Sequence, residues 1–260
     1  MTVRLFFHFL RIIFKSRMEY RADFFLGVFG QILGYAADYV ILWLLIQSFS
    51  TIDGWTWPEL AFLVSLNILS YAIGASFTYT PTANMEELIR TGDFDKYLTK
   101  PLNTLMYLIA SMFNFGYIAH ITISLSILLW SVTALPVQWT FLKILYLICI
   151  LIGGAMIQAG ALILVSSWGF LFTKSQYLFS LYFKMKEFIS YPMSIYAPFI
   201  QICLTWIIPL AFINYYPSLF LLGKQEGVLV YLTPLLGPIF LSVVIKLWFA
   251  GVNRYQGTGS

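Results

Sequence analysis

Two adjacent glutamates, Glu86 and Glu87, stand just ahead of Arg90 in the stretch EELIRTGDFDKYLTKPLN, residues 86–103. Paired carboxylates beside a guanidinium could hold a proton and activate water, so hydrolysis is the first chemistry to weigh. The rest of the sequence gives it no support. The only histidines are His8 and His120, and no second histidine, cysteine or carboxylate lies at ligand spacing from His120. The reading for metal is therefore none. Cys149 and Cys203 sit in apolar runs and read as small buried hydrophobes. No G-x(4)-G-K-[ST] phosphate loop occurs, so the chain does not cradle ATP by that route. The expectation is a chain with no catalytic residue and no cofactor of its own, whose charged strip docks onto something else.

The elements that carry this strip follow from composition. The chain has 260 residues, 60% of them hydrophobic and 10% charged. A soluble domain averages about 25% charged residues. So much apolar surface is expected to lie in a bilayer, within one transmembrane domain over residues 1–260. Apolar runs predict six membrane-spanning helices, at about 23–48, 59–79, 104–133, 140–172, 190–213 and 228–250. The net charge of +4 then speaks to topology and not to nucleic acid. If the N-terminus is cytoplasmic, Arg4, Arg11, Lys15, Arg17, Arg21, Arg90, Lys96, Lys100, Lys174, Lys184, Lys186, Lys246 and Arg254 all fall inside. Only Lys143 and Lys224 fall outside, and both termini come out cytoplasmic. The outer connections carry Trp55, Trp57, Trp139, Tyr215 and Tyr216, as interfacial aromatics should.

Residues 1–20 are too polar to span. Arg4, His8, Arg11, Lys15 and Glu19 make one polar stripe, with Leu5, Phe6, Phe9, Leu10, Ile13 and Phe14 on the remaining surface. This predicts an amphipathic helix lying on membrane lipid, each cation gaining about 1 kcal/mol beside anionic headgroups. Residues 80–103 read as an ordered elbow. Asn84 with Glu87 suggests a capping box, and Glu86 and Glu87 suit a helix N-terminus. Met85, Leu88 and Ile89 form an apolar face, and Gly92 suits a helix stop. Asp93 is read as the cap of a second turn, carrying Asp95 and Lys96, and Pro101 ends it. An apolar stripe flanked by both signs of charge suits docking onto another protein.

Inside the spans, Asp38 stands out. A charge at mid-span costs about 2.5–3.5 kcal/mol on insertion scales, so Asp38 should face protein or water. Gly30, Gly34 and Asp38 recur every fourth residue and share one helix face, suited to a subunit or substrate interface or to a hydrogen bond with a neighbouring helix. Asn67, Asn114, His120, Gln158 and Gln201 are also intramembrane. Ala155, Ala159 and Gly160 suit close helix packing. Prolines at 192, 198, 209 and 217 interrupt the fifth span. Asn214, Tyr215, Tyr216 and Pro217 follow in a segment, 214–223, too short to cross, which predicts an outer re-entrant helix with its tyrosines at the headgroups.

Two motifs carry a resemblance. Gly92, Leu98, Lys100, Pro101 and Leu102 form G-x(5)-L-x-K-P-L, and Pro209 to Pro217 read P-L-A-F-x-N-Y-Y-P. With the six-span plan and the basic N-terminal helix, they make the chain resemble the permease, or membrane subunit, of an ABC-2-type exporter. The likeness is to a bacterial branch that includes drug and viologen exporters. It implies an all-α polytopic fold in the inner (plasma) membrane, a dimer with a second copy or a related permease, and a separate ABC ATPase subunit that binds ATP and Mg. It also implies that the inner elbow is the coupling helix, with Glu86, Glu87, Arg90, Asp93, Asp95 and Lys96 as coupling residues. Two rivals are weaker. EELIR is similar to the E-E-x-x-x-R signature of an intramembrane glutamate protease family, but Arg90 stands one residue too close. A secondary transporter driven by an ion gradient would need paired ionisable groups at mid-membrane and internal repeats. The sequence offers one deep carboxylate and no convincing repeat.

Overall fold

The computed structural model describes residues 1–170, 176–225 and 227–255. Among the described residues the chain is helical, with one isolated β-bridge between Ile52 and Trp55. The long helices are α1 (Val3–Glu19), α2 (Arg21–Phe49), α3 (Trp57–Ala83), α7 (Ile118–Ala134), α8 (Phe141–Ser167) and α12 (Val228–Arg254). Between them lie α4 (Met85–Thr91), α5 (Asp95–Leu98), α6 (Thr104–Ser111), α9 (Gln176–Phe188), α10 (Pro198–Ile202) and α11 (Tyr215–Leu221). Five helical stretches are long and apolar enough to cross a membrane, and a sixth counts if Pro198–Ile207 and Leu210–Leu221, bent by 80° from each other, form one broken span.

α3 is the central pillar. Along its most apolar stretch 89% of residues are buried, against 17% for α2. Small residues let neighbouring backbones close on it. A Cβ at Gly74 would stand 2.5 Å from the Ala155 carbonyl oxygen of α8, with Ala159 beside it. The close packing expected at Ala155 and Ala159 is thus an α3–α8 contact. One layer out, a Cβ at Gly237 of α12 would stand 2.4 Å from the Gly153 carbonyl oxygen of α8. These approaches join α3, α8 and α12 backbone to backbone, the arrangement that suits helices surrounded by lipid.

Several buried polar groups in this pillar are paired across helices, although the Ser70 hydroxyl has no partner among the described residues. Gln158 Nε2 donates to Asn67 Oδ1 at 3.2 Å, and the Tyr182 hydroxyl of α9 donates to Gln158 Oε1. Tyr39 of α2 and Ser65 share a hydrogen bond of 2.9 Å. Pro234 cannot donate to the Val230 carbonyl one turn back; the Tyr146 hydroxyl donates to it instead.

Two predicted spans differ in outline. The third is not one helix over 104–133. It breaks after Ser111, where the Asn114 N–H donates to the Ser76 carbonyl at 2.9 Å and Asn114 Oδ1 accepts from the Gly116 N–H at 2.8 Å. An asparagine that offers its own side chain to the backbone competes with helix continuation. The fifth is not one helix over 190–213: α9 (Gln176–Phe188) ends before it, and the bent pair Pro198–Ile207 and Leu210–Leu221 takes its place. Lys184 and Lys186 therefore lie on a helix and not in a connecting loop; Lys174 lies outside the described residues.

Candidate functional site

The first region is the elbow. α3 continues almost directly into α4, with Asn84 between them in helical conformation, its N–H bonded to the Thr80 and Thr82 carbonyls. A capping box needs an extended residue at that point, so Asn84 and Glu87 do not form one. Glu87 instead faces Arg90, at 3.6 Å. Gly92 ends α4 in the left-handed region (φ +74°), a conformation that suits glycine, and the Phe94 N–H reaches back to the Leu88 carbonyl at 3.0 Å. Asp93 does not cap α5 by a side-chain bond. It pairs with Lys96 and accepts from Thr91 Oγ1 at 3.0 Å. The Lys96 ammonium and the Thr91 hydroxyl hold the Asp93 carboxyl below its usual pKa, and Asp93 raises that of Lys96.

The apolar face of the elbow is not available for docking. Met85 and Phe94 are completely buried, in a cluster with Leu105, Leu108, Val244 and Trp248, with Leu88 and Ile89 packed against it. The expected apolar docking stripe is used by the chain itself, to bolt the elbow onto α6, α8 and α12. What faces outward is polar: Glu87, Arg90, Asp95 and Lys96 are exposed, while Glu86 and Asp93 are half-buried. The end of α12 joins the same place, with Tyr255 5.2 Å from the Phe94 ring. α1 lies at this end too, through Phe9 on Tyr107 and Phe6 on Phe77. At the opposite end Glu59 pairs with Lys224 at 3.0 Å, and Lys224 lies over the Trp55 ring.

The second region is a cavity of about 480 Å³ between α2, α3 and α9. Asp38 and Tyr35 line it from α2, Asn67 and Tyr71 from α3, and Phe183, Lys186 and Glu187 from α9. The Lys186 ammonium sits 4.0 Å from the centre of the Tyr71 ring. Tyr71 lies near the middle of α3, so this lysine belongs at mid-span depth and not among the flanking cations where the sequence reading put it. A second cavity of about 400 Å³ shares Tyr35, Tyr71 and Phe183 and extends to Gln31, Tyr79, Asn114 and His120. His120 packs on Tyr35 with ring centres 4.3 Å apart. The two cavities form one polar, tyrosine-lined seam. Asp38, Asn67, Asn114 and His120 stand out in the sequence as polar groups within the spans, but nothing there joins them to one another or to Lys186 and the tyrosines.

Gly30 and Gly34 meet nothing within 4 Å, so their face of α2 is uncovered within this chain. Asn214 is fully buried and donates to the Leu63 carbonyl at 3.2 Å and the Ile189 carbonyl at 2.6 Å. Tyr215 and Tyr216 are half-buried, against Trp55 and Phe212, and Pro217 is buried. The tyrosines thus pack partly within the protein and keep part of their surface free.

Among the described residues, five helices long and apolar enough to cross a membrane, or six with the bent pair, a charged elbow bolted to one end and a polar seam between helices suit a multi-pass membrane protein. The family model described as "ABC-2 family transporter protein" matches residues 32–259. The chain belongs to that family and is a permease of an ABC transporter, a membrane component whose family works with an ABC ATPase. No curated protein and no solved structure matches it.

Proposed function

We propose that this chain is the permease of an ATP-driven exporter, works as a dimer, and is moved by a separate ATPase subunit seated on the elbow. ATP and Mg stay on that subunit. The observation that carries this reading is the elbow's construction. Its apolar side is buried in the chain's own core, and its charged side, with Glu87, Arg90, Asp95 and Lys96, faces out at the end of the central pillar. A push on these residues passes directly into α3, because α4 continues it with no flexible linker. Glu86 and Asp93 complete the same surface. Exposed ion pairs contribute only about 0–1 kcal/mol to folding, so the value of this surface lies in what it binds.

The α1 stripe and the elbow lie at one end with the end of α12. We assign that end to the cytoplasmic side of the plasma membrane, with α1 on anionic lipid. The uncovered α2 face, with Gly30 and Gly34, meets the second permease, either another copy or a related chain. The segment Asn214–Gly223 acts as the outer re-entrant piece that closes the seam from outside, Tyr215, Tyr216 and Pro217 included. Co-purification tests the reading. Reversing charge at both Glu87 and Arg90 should abolish capture of the ATPase while the permease elutes unchanged. Full retention of the ATPase by that variant would refute the docking assignment.

A further inference from the structure

Asp38 of α2 and Lys186 of α9 are opposite charges lining one cavity, and they do not close on each other. No ion pair within 4.0 Å joins them among the described residues. The lysine rests on the Tyr71 ring instead. Charges held apart inside a membrane are costly, and two that serve only structure gain most by direct contact with full hydrogen bonding. Here about 480 Å³ lies beside them, within the range of small-molecule sites. Much of the remaining lining is apolar or aromatic (Ile41, Leu42, Val64, Ile68, Phe183 and Tyr191), with Asn67, Glu187 and Ser190 as its other polar members.

We propose that this cavity binds a small zwitterion with an apolar or aromatic body, its ammonium on Asp38 and its carboxylate on Lys186. The ligand supplies the two contacts that the protein leaves unmade. Its body lies on the aliphatic and aromatic walls, and the Tyr35 ring offers a face for the cationic end. Glu187 lines the cavity as well, so its surplus charge is negative, and the ammonium is the more strongly held end. The proposal deepens the exporter reading by naming a ligand class for the seam, and it rests on that reading only for what happens after binding.

Binding is measured on the full chain in phosphatidylcholine nanodiscs, without ATPase, by calorimetry. The probes are the dipeptide phenylalanyl-phenylalanine, its N-acetyl form and its C-terminal amide. The free dipeptide should bind, and each capped form should bind about tenfold or more weakly, the size expected for one charge-assisted contact. Asp38→Asn should narrow the gap between free and acetylated forms several-fold, Glu187 retaining the remainder, and Lys186→Gln should make free and amidated forms equal. No binding of the free dipeptide, or equal binding of all three probes to the unmodified chain, overturns the proposal. The probe comparison needs no variant, so it stands even where a substitution impairs folding. Failure here leaves ATPase capture by the elbow untouched, and loss of ATPase capture leaves the binding result untouched.

Discussion

α2 and α3 are both long, apolar and free of charge over most of their length, yet one is 17% buried along its apolar stretch and the other 89%. Composition does not separate them. What separates them is where their small and polar residues meet partners. Gly74 of α3 faces a neighbour's carbonyl, and Ser65 and Asn67 are hydrogen-bonded to other helices. α2 buries only the stripe of Tyr39, Leu42 and Ile46, while its Gly27, Gly30 and Gly34 meet open space. In lipid, apolar surface alone gives a helix no reason to be central, because the solvent is as apolar as the helix. α3 is the fixed element that receives the elbow, and α2 is the element left with a face to offer a second permease.

The largest effect should come from filling the pillar's close approach. Gly74→Leu forces α3 and α8 apart, because the obstruction is backbone. Overpacking of this kind costs about 1–3 kcal/mol or more, so the variant should melt well below the parent in detergent or fail to accumulate. Gly34→Leu should leave the melting of the isolated chain within about 0.5 kcal/mol and weaken only permease pairing. Equal loss of stability in both variants would erase the distinction between the helices.

Next is Asn214→Leu, which strips hydrogen bonds from the Leu63 and Ile189 carbonyls in a fully buried place. The expected cost is about 1–3 kcal/mol, read as a lower thermal midpoint. Lys224→Met at the far end removes a half-buried pair with Glu59, and should cost about 1 kcal/mol, because the ion pair is partly screened. Smallest is the elbow itself. Arg90→Ala should leave stability within about 0.5 kcal/mol, since its pair with Glu87 is about 70% exposed on both sides (71% and 72%). A pH effect belongs here too. The Asp93 carboxyl is held below its usual pKa, so the Asp93–Lys96 contact is fully present above the ordinary aspartate range and is lost as pH falls through the lowered value. A spin label at Thr99 should stay ordered at pH 5 and loosen only in stronger acid.

Much of this architecture is legible in the residues. Gly92 as a helix stop, the apolar runs and the stripe on α1 are local signals, and local physics placed them. The misreadings share a cause, which is tertiary. Asn84 and Glu87 have capping-box spacing, but a straight helix-to-helix junction keeps Asn84 helical. Met85, Leu88 and Ile89 make an apolar face whose owner is decided by Trp248 and Phe94, distant in sequence or beyond a turn. Lys186 counts as a flank cation by the charge rule, and only the pairing of α9 with α3 moves it to mid-span beside Tyr71. Of the cavity, Asp38 and Asn67 show in sequence as polar groups within spans; the opposing charge comes from a helix nearly 150 positions from Asp38, and no spacing rule connects the two.

The central claim is that the outward face of the elbow is the seat of the ATPase on the cytoplasmic side. A chain with Cys149 and Cys203 replaced by serine and a single cysteine at Glu87 tests it, using a membrane-impermeant maleimide. The account predicts no labelling on intact cells, strong labelling of inside-out vesicles stripped of the ATPase, and protection when the ATPase is added back. Labelling from outside intact cells, or undiminished labelling with the ATPase bound, would contradict it.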